Sequence, residues 1–101
     1  MPKVNIDYQS PLDAQETYNR VKNFLSTDES IRKIDNSIVC DFNENSKSGD
    51  LKGKKFKAQM SVEEHGDEST VSIVVDLPLM FTAFKGQVKS TIEKKLRKVL
   101  S

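Results

Sequence analysis

Two runs near the middle of the chain constrain its fold more than anything else in it. Phe56, Ala58, Met60 and Val62 alternate with Lys55, Lys57, Gln59, Ser61 and Glu63. After His65-Gly66-Asp67, a second alternation sets Val71, Ile73, Val75 and Leu77 against Thr70, Ser72, Val74 and Asp76. Successive side chains on a strand point to opposite faces, so this period of two describes strands with one buried and one wetted face. Joined by a short glycine-containing turn, they predict an antiparallel hairpin. A second layer must then cover the apolar face.

The remaining elements supply that layer. Val4, Ile6 and Tyr8 alternate with Lys3, Asn5 and Asp7, which predicts a first strand over residues 3 to 8. Ser10, Pro11 and Asp13 then read as a hydroxyl cap, a proline at the first helical position and an acid in the first turn. The helix they open carries Ala14, Tyr18, Val21 and Leu25 in one stripe, widened by Phe24. Ser26-Thr27-Asp28 interrupts it, and a short helical turn from Glu29 to Lys33, capped by Thr27 or Asp28, lets the returning chain lie antiparallel to the first strand. Ile38, Cys40 and Phe42 share one face of another strand, opposite Ser37, Val39 and Asp41, and Asn43 to Asp50 reads as a loop. Pro78 ends the last strand. Beyond it Met80, Phe84, Val88, Ile92, Leu96 and Val99 recur at helical spacing, and from Leu79 to Leu100 such a helix would span about 33 Å, enough to cross a four-stranded sheet. The expectation is an α+β fold in the order β-α-β-β-β-α, a four-stranded antiparallel sheet covered on one face by a long C-terminal helix, as one domain over residues 1–101.

Composition excludes several function classes. The 101 residues are 36% hydrophobic and carry 16 Lys+Arg against 15 Asp+Glu, a net charge of +1 that does not mark a nucleic-acid binder. The charge is unevenly placed, however: from Leu79 onward Lys85, Lys89, Lys94, Lys95, Arg97 and Lys98 face only Glu93. Such a segment suits an anionic surface, and equally a helix whose C-terminal dipole attracts cations. Residues 1 to 8 lack the apolar segment of a signal peptide and no run approaches about 18 apolar residues, so no transmembrane segment and a cytoplasmic location are expected.

Catalytic and cofactor chemistry finds little purchase. His65, the one histidine, falls in the hairpin turn among Glu63, Glu64, Asp67 and Glu68, without the positioned partner a general base needs. Cys40 shares the inward face of its strand and reads as a small hydrophobe; with one cysteine there is no bridge and no zinc cluster. Asp41 and Asp76 lie on wetted faces. Gly49, Gly53, Gly66 and Gly86 are scattered rather than gathered in a phosphate-cradling turn, and the lysines around Phe56 offer no stacking platform. The reading is no enzyme, no cofactor, no metal and no nucleic acid.

The apolar run from Leu77 to Phe84 exceeds what one helical stripe can bury. On a continuous helix Met80, Phe84 and Val88 face the core, leaving Leu79 and Phe81 at its margin. Flanked by Lys85 and Lys89, this lip suits an apolar partner, and Leu77, Leu79, Met80, Phe81, Phe84, Lys85 and Lys89 are the candidate binding residues.

Pro2-Lys3-Val4-Asn5-Ile6, the first helix through Val21 and Leu25, Ser48-Gly49-Asp50-Leu51-Lys52-Gly53, Leu77-Pro78-Leu79, Phe84-Lys85-Gly86 and Ile92-Glu93-Lys94-Lys95-Leu96 give the chain a further character. Over nearly its whole length it resembles the polyhydroxyalkanoic acid system family of small bacterial proteins, often linked to storage-polyester granule regions. That resemblance implies a non-enzymatic role at the polyester granule surface and carries no catalytic residues. The family layout also looks like a shortened helix-grip fold, as in START-like proteins, where a long C-terminal helix crosses a curved sheet over an apolar cavity. A carrier of a small hydrophobic ligand is therefore the first alternative, and a homodimeric interaction module the second.

Overall fold

The structure, a computed structural model, describes residues 3–101 apart from the side chain of Ile34; Pro2 of the opening segment lies outside the described residues. The hairpin anticipated from the double alternation is present as β4 (Lys57–His65) and β5 (Glu68–Asp76). Its register sets Ala58 opposite Val75, Met60 opposite Ile73 and Val62 opposite Val71, all buried. Gly66 stands in the two-residue connection at φ +65°, a conformation that costs glycine nothing because it has no Cβ. The first strand, β1 (Lys3–Ser10), pairs antiparallel with β5, which brings Val4, Ile6 and Tyr8 against the same apolar face.

The sheet has five strands rather than four. β2 (Val39–Asn43) pairs with β3 (Ser48–Lys52), and β3 pairs with β4, giving the antiparallel order β1-β5-β4-β3-β2. The extra strand comes out of the segment read as a loop. Its sequence, Ser48-Gly49-Asp50-Leu51-Lys52, shows only one large apolar residue, because its other inward position is a glycine. A Cβ at Gly49 would collide with the Phe42 ring, coming within 2.7 Å of Cε1, so the neighbouring strand supplies the apolar surface that β3 lacks.

Two helices then carry the chain from one edge of the sheet to the other. α1 (Ala14–Thr27) buries Ala14, Tyr18, Val21, Phe24 and Leu25, the expected stripe. Its cap is not Ser10 but Asp13, whose Oδ1 accepts the Glu16 N–H at 2.8 Å. The strand has claimed Ser10 as far as its pairing with Ser69. There its hydroxyl is buried, 2.7 Å from the Thr17 hydroxyl, which in turn accepts from Ser69 at 2.8 Å. α2 (Glu29–Ile34) follows with Asp28, one of the two caps the sequence offered, in place. The returning chain does not lie beside β1, however. It enters β2 at the far edge, because β1 is paired with β5.

The turn into β2 is held by one carboxylate. Asp35 is buried, and its side chain accepts the Ser37 N–H at 3.0 Å, the Ser37 hydroxyl and the Lys55 N–H at 2.7 Å. Donation from Ser37 and Lys55 pulls the carboxyl down to about 2. Gly53 lies directly against it, and a Cβ there would meet the Asp35 Cγ at 2.8 Å.

The C-terminal segment is two elements rather than one helix. Leu79–Phe84 forms a 3₁₀ turn and α3 runs from Lys85 to Val99. With three residues per turn, positions three apart align, so Phe81 and Phe84 point together, their rings 6.4 Å apart and tilted by 60°. Met80 and Phe84, assigned to the core face on a continuous helix, are instead 77% and 50% exposed, while Phe81 turns inward to half-burial. Only the far end of α3 is firmly seated: Leu96 and the following Leu100 are fully buried, Ile92 and Val99 partly. The helix packs against β1 and α1, and its stripe toward the 3₁₀ turn stands off from the sheet.

These contacts make two predictions. Leu96→Ala should cost about 2–5 kcal/mol of stability in urea denaturation, as expected for a fully buried leucine, whereas Val88→Ala should cost roughly 1 kcal/mol or less. Equal losses would mean that α3 is clamped along its length. Separately, the Asp35 contribution is fully present above the ordinary carboxylate value of about 4 and is lost as pH falls toward 2. The difference in Tm between the native protein and Asp35→Asn should therefore shrink over that interval, and Gly53→Ala should lower Tm at neutral pH by about 5 °C or more.

Candidate functional site

Where the stripe of α3 leaves the sheet, a cavity of about 470 Å³ opens between them. Its floor comes from the sheet: Leu51 of β3, Ala58 of β4, and Ile73 and Val75 of β5, all on the buried face. Phe24, Leu25 and Ile31 close one side from α1 and α2, and Phe56 adds its ring from the turn before β4. The roof is Phe81 and Phe84 of the 3₁₀ turn with Val88 and Ile92 of α3. Gln87 and Thr91 border the space from exposed positions, so the cavity is open along that side of the helix. Its size lies within the range that accommodates a drug-sized ligand, and an apolar lining with few polar groups is the usual composition of such sites.

Apart from Gln87 and Thr91 on the open side, the polar groups are gathered at one end. Lys95 of α3 donates to Asp28 Oδ2 at 2.7 Å and to the Ser30 hydroxyl at 3.0 Å, and all three residues border the cavity. The Lys95 ammonium also lies 6.0 Å from the centre of the Phe24 ring. Burial alone would raise the Asp28 carboxyl. The bond from Lys95 and those from the Ile31 and Ser30 N–H groups outweigh it and hold the carboxyl below its ordinary value. Asp28 thus does two things: through Oδ1 it caps α2, and through its pair with Lys95 it pins α3 to the α1–α2 junction. On the outer side Arg20 donates to the Val99 carbonyl at 3.1 Å, a second tie at the same end of α3.

The candidate residues named from the sequence fall into three groups. Leu77 is buried at the end of β5 and lines the cavity with Phe81 and Phe84. Leu79 and Met80 project into solvent from the 3₁₀ turn, 78% and 77% exposed. Lys85 and Lys89 are exposed on α3. The lip is therefore divided, half of it forming the cavity mouth and half facing outward. Sequence reasoning missed Phe24, Ile31, Phe56, Ala58 and Val75 as site residues, since a cavity wall and a packed core have the same periodicity. It also missed Asp28 and Lys95, which lie far apart in the chain and meet only in space.

The remaining candidates are placed plainly. His65 is exposed at the end of β4. Cys40 is half-buried, with Sγ 3.9 Å from an Arg32 guanidinium nitrogen and 4.0 Å from the Leu25 carbonyl oxygen. Among the described residues no group of three or more His, Cys, Asp and Glu side chains could hold a metal ion, and no helix is long and apolar enough to cross a membrane.

This architecture is shared with solved structures of distant sequence. A START superfamily protein from Mycobacterium smegmatis matches with a TM-score of 0.63 at 12% identity, over 97% of this chain and 96% of that one. A protein from Thermus thermophilus matches at 0.62 and 10% identity, over 98% and 94%. The di-domain ARO/CYC protein BexL from the BE-7585A biosynthetic pathway matches at 0.60 and 11% identity, over 99% of this chain and 44% of that one. Among curated protein sequences none matches. At such identities the likeness shows the fold alone, and that fold is START-like. The sequence itself matches, over residues 14–100, the family described as "Putative polyhydroxyalkanoic acid system protein". The chain belongs to that family.

Proposed function

We propose that this protein is a non-catalytic, cytoplasmic carrier within the polyhydroxyalkanoic acid system, binding one small hydrophobic molecule between α3 and the sheet. The observation that carries the reading is the cavity of about 470 Å³ lying where the stripe of a flatly packed helix would have filled the core. Phe81 and Phe84 stand at its mouth, so the aromatic half of the lip belongs to the ligand rather than to an outer partner. Family membership and the START-like fold support this reading from independent directions.

A second reading, attachment to the polyester granule surface, rests on a different observation. Leu79 and Met80 turn away from the cavity and present apolar side chains to solvent next to Lys85 and Lys89. Exposed apolar groups rimmed by cations suit an interfacial surface. The two readings are compatible, since one uses the inner side of the 3₁₀ turn and the other its outer side.

They separate experimentally. A neutral environment-sensitive dye such as N-phenylnaphthylamine should gain fluorescence with the native protein, and Ala58→Phe, which places a ring inside the cavity, should abolish the gain while the protein stays folded by circular dichroism. Retained dye binding by that variant would refute the carrier reading. Leu79→Asp with Met80→Asp should leave dye binding intact and reduce co-sedimentation with polyester particles; unchanged co-sedimentation would remove the second reading.

A further inference from the structure

The cavity is apolar apart from Gln87 and Thr91 along its open side and a cluster at one end, and that end is built in a specific way. Lys95 carries three N–H donors. Two are engaged, by Asp28 Oδ2 at 2.7 Å and by the Ser30 hydroxyl at 3.0 Å. The Lys95 side chain is 32% exposed and that of Asp28 13%, so the pair is partly withdrawn from water at the cavity wall. Asp28 has little capacity to spare, since Oδ1 accepts the Ile31 N–H at 3.2 Å as the cap of α2. Among the described residues the third donor has no protein partner, so the corner offers it to a ligand within an assembly whose charges cancel.

We propose, building on the carrier reading, that Lys95 is the polar anchor of this site and that the ligand it selects is an elongated apolar molecule with an uncharged oxygen acceptor at one end, such as an acyl ester. The charge balance decides the class. A carboxylate approaching Lys95 would come up against the Asp28 carboxylate, which already neutralises the ammonium, and repulsion would offset the attraction. A hydrocarbon filling the corner would displace water from the third donor without replacing its hydrogen bond, which is unfavourable. An ester carbonyl completes the set of hydrogen bonds and adds no charge. The hydrocarbon portion then runs between the Phe81–Phe84 pair and the β5 floor.

α3 supports this orientation. Gln87, Thr91 and Lys95 recur at intervals of four, so they form one row along the helix, beside the apolar row of Phe84, Val88 and Ile92. Both rows border the cavity. The apolar row contacts the ligand chain along its length. The polar row, exposed at Gln87 and Thr91 and anchored at Lys95, marks the watered side of the same groove. A polar ligand end therefore has one sheltered position, against Lys95.

The test uses three probes of similar length, methyl decanoate, decanoate and undecane, each displacing N-phenylnaphthylamine from the full chain. The native protein should bind methyl decanoate roughly tenfold more tightly than either of the others, as expected for one hydrogen bond to a charged group. Lys95→Met, which keeps much of the stem, should reduce the ester-to-alkane ratio to about one. Asp28→Asn is the sharper variant: asparagine still caps α2, yet Lys95 is left without its counter-charge, so the preference should turn toward decanoate. An unchanged ester preference in Lys95→Met, or tighter binding of decanoate than of the ester by the native protein, would overturn the proposal while leaving the carrier reading intact. Failure of all three probes to displace the dye would overturn both.

Discussion

The structure depends on α3 being fastened at one end. Leu96 and Leu100 are fully buried in the core, Lys95 is bonded to Asp28 and Ser30, and Arg20 holds the Val99 carbonyl. These contacts all fall within the last two turns of the helix and just beyond it. A helix seated along its full stripe would bury Val88 and Ile92 as deeply as Leu96; here they are only partly covered and face an open volume. Stability is concentrated at the C-terminal end, and the cavity extends from there toward the start of the helix. The same chain can therefore hold a folded core and keep a cleft open, because the apolar stripe of one helix is buried at its end and open toward its start, with Lys95 standing where the two meet.

Much of this was legible in the sequence, and the parts that were not have specific causes. The β4–β5 hairpin, α1, the short α2 with its Asp28 cap and the α+β class all follow from periodicity and capping chemistry, which are local. β3 escaped because Gly49 removes one of the two inward apolar positions by which a five-residue strand would be recognised. Ser10 resembled a cap and proved to be the last residue of β1, since pairing with Ser69 is a tertiary fact that outweighs a local preference. The break between the 3₁₀ turn and α3 is equally invisible to a wheel drawn at one fixed pitch. Phe81 and Met80 exchanged their expected positions for that reason alone.

The site shows the same division more sharply. The sequence singled out Leu77 to Phe84 because it holds too many apolar residues for one stripe, and three of those side chains, Leu77, Phe81 and Phe84, line the cavity. What it could not give was the other wall. Phe56, Ala58 and Val75 look like any inward residues of a sheet, and whether such residues meet a helix or an empty volume depends on where that helix is tied down. The glycines of residues 48–53 have physical reasons in the fold, Gly49 lying beneath the Phe42 ring and Gly53 against the Asp35 carboxylate.

The edge strand β1 has a consequence for how the chain assembles. β4 and β5 meet across a two-residue connection, whereas residue 3 reaches its partner only at residue 76. Closing a large loop costs more entropy than closing a tight one, and topologies dominated by distant pairings fold slowly. Of the five strands, the one synthesised first is thus expected to be among the last to find its place. Until it does, the inner faces of Val71, Ile73 and Val75 lack their neighbour, and the growing chain carries an open sheet margin that waits for this upstream segment to seal it.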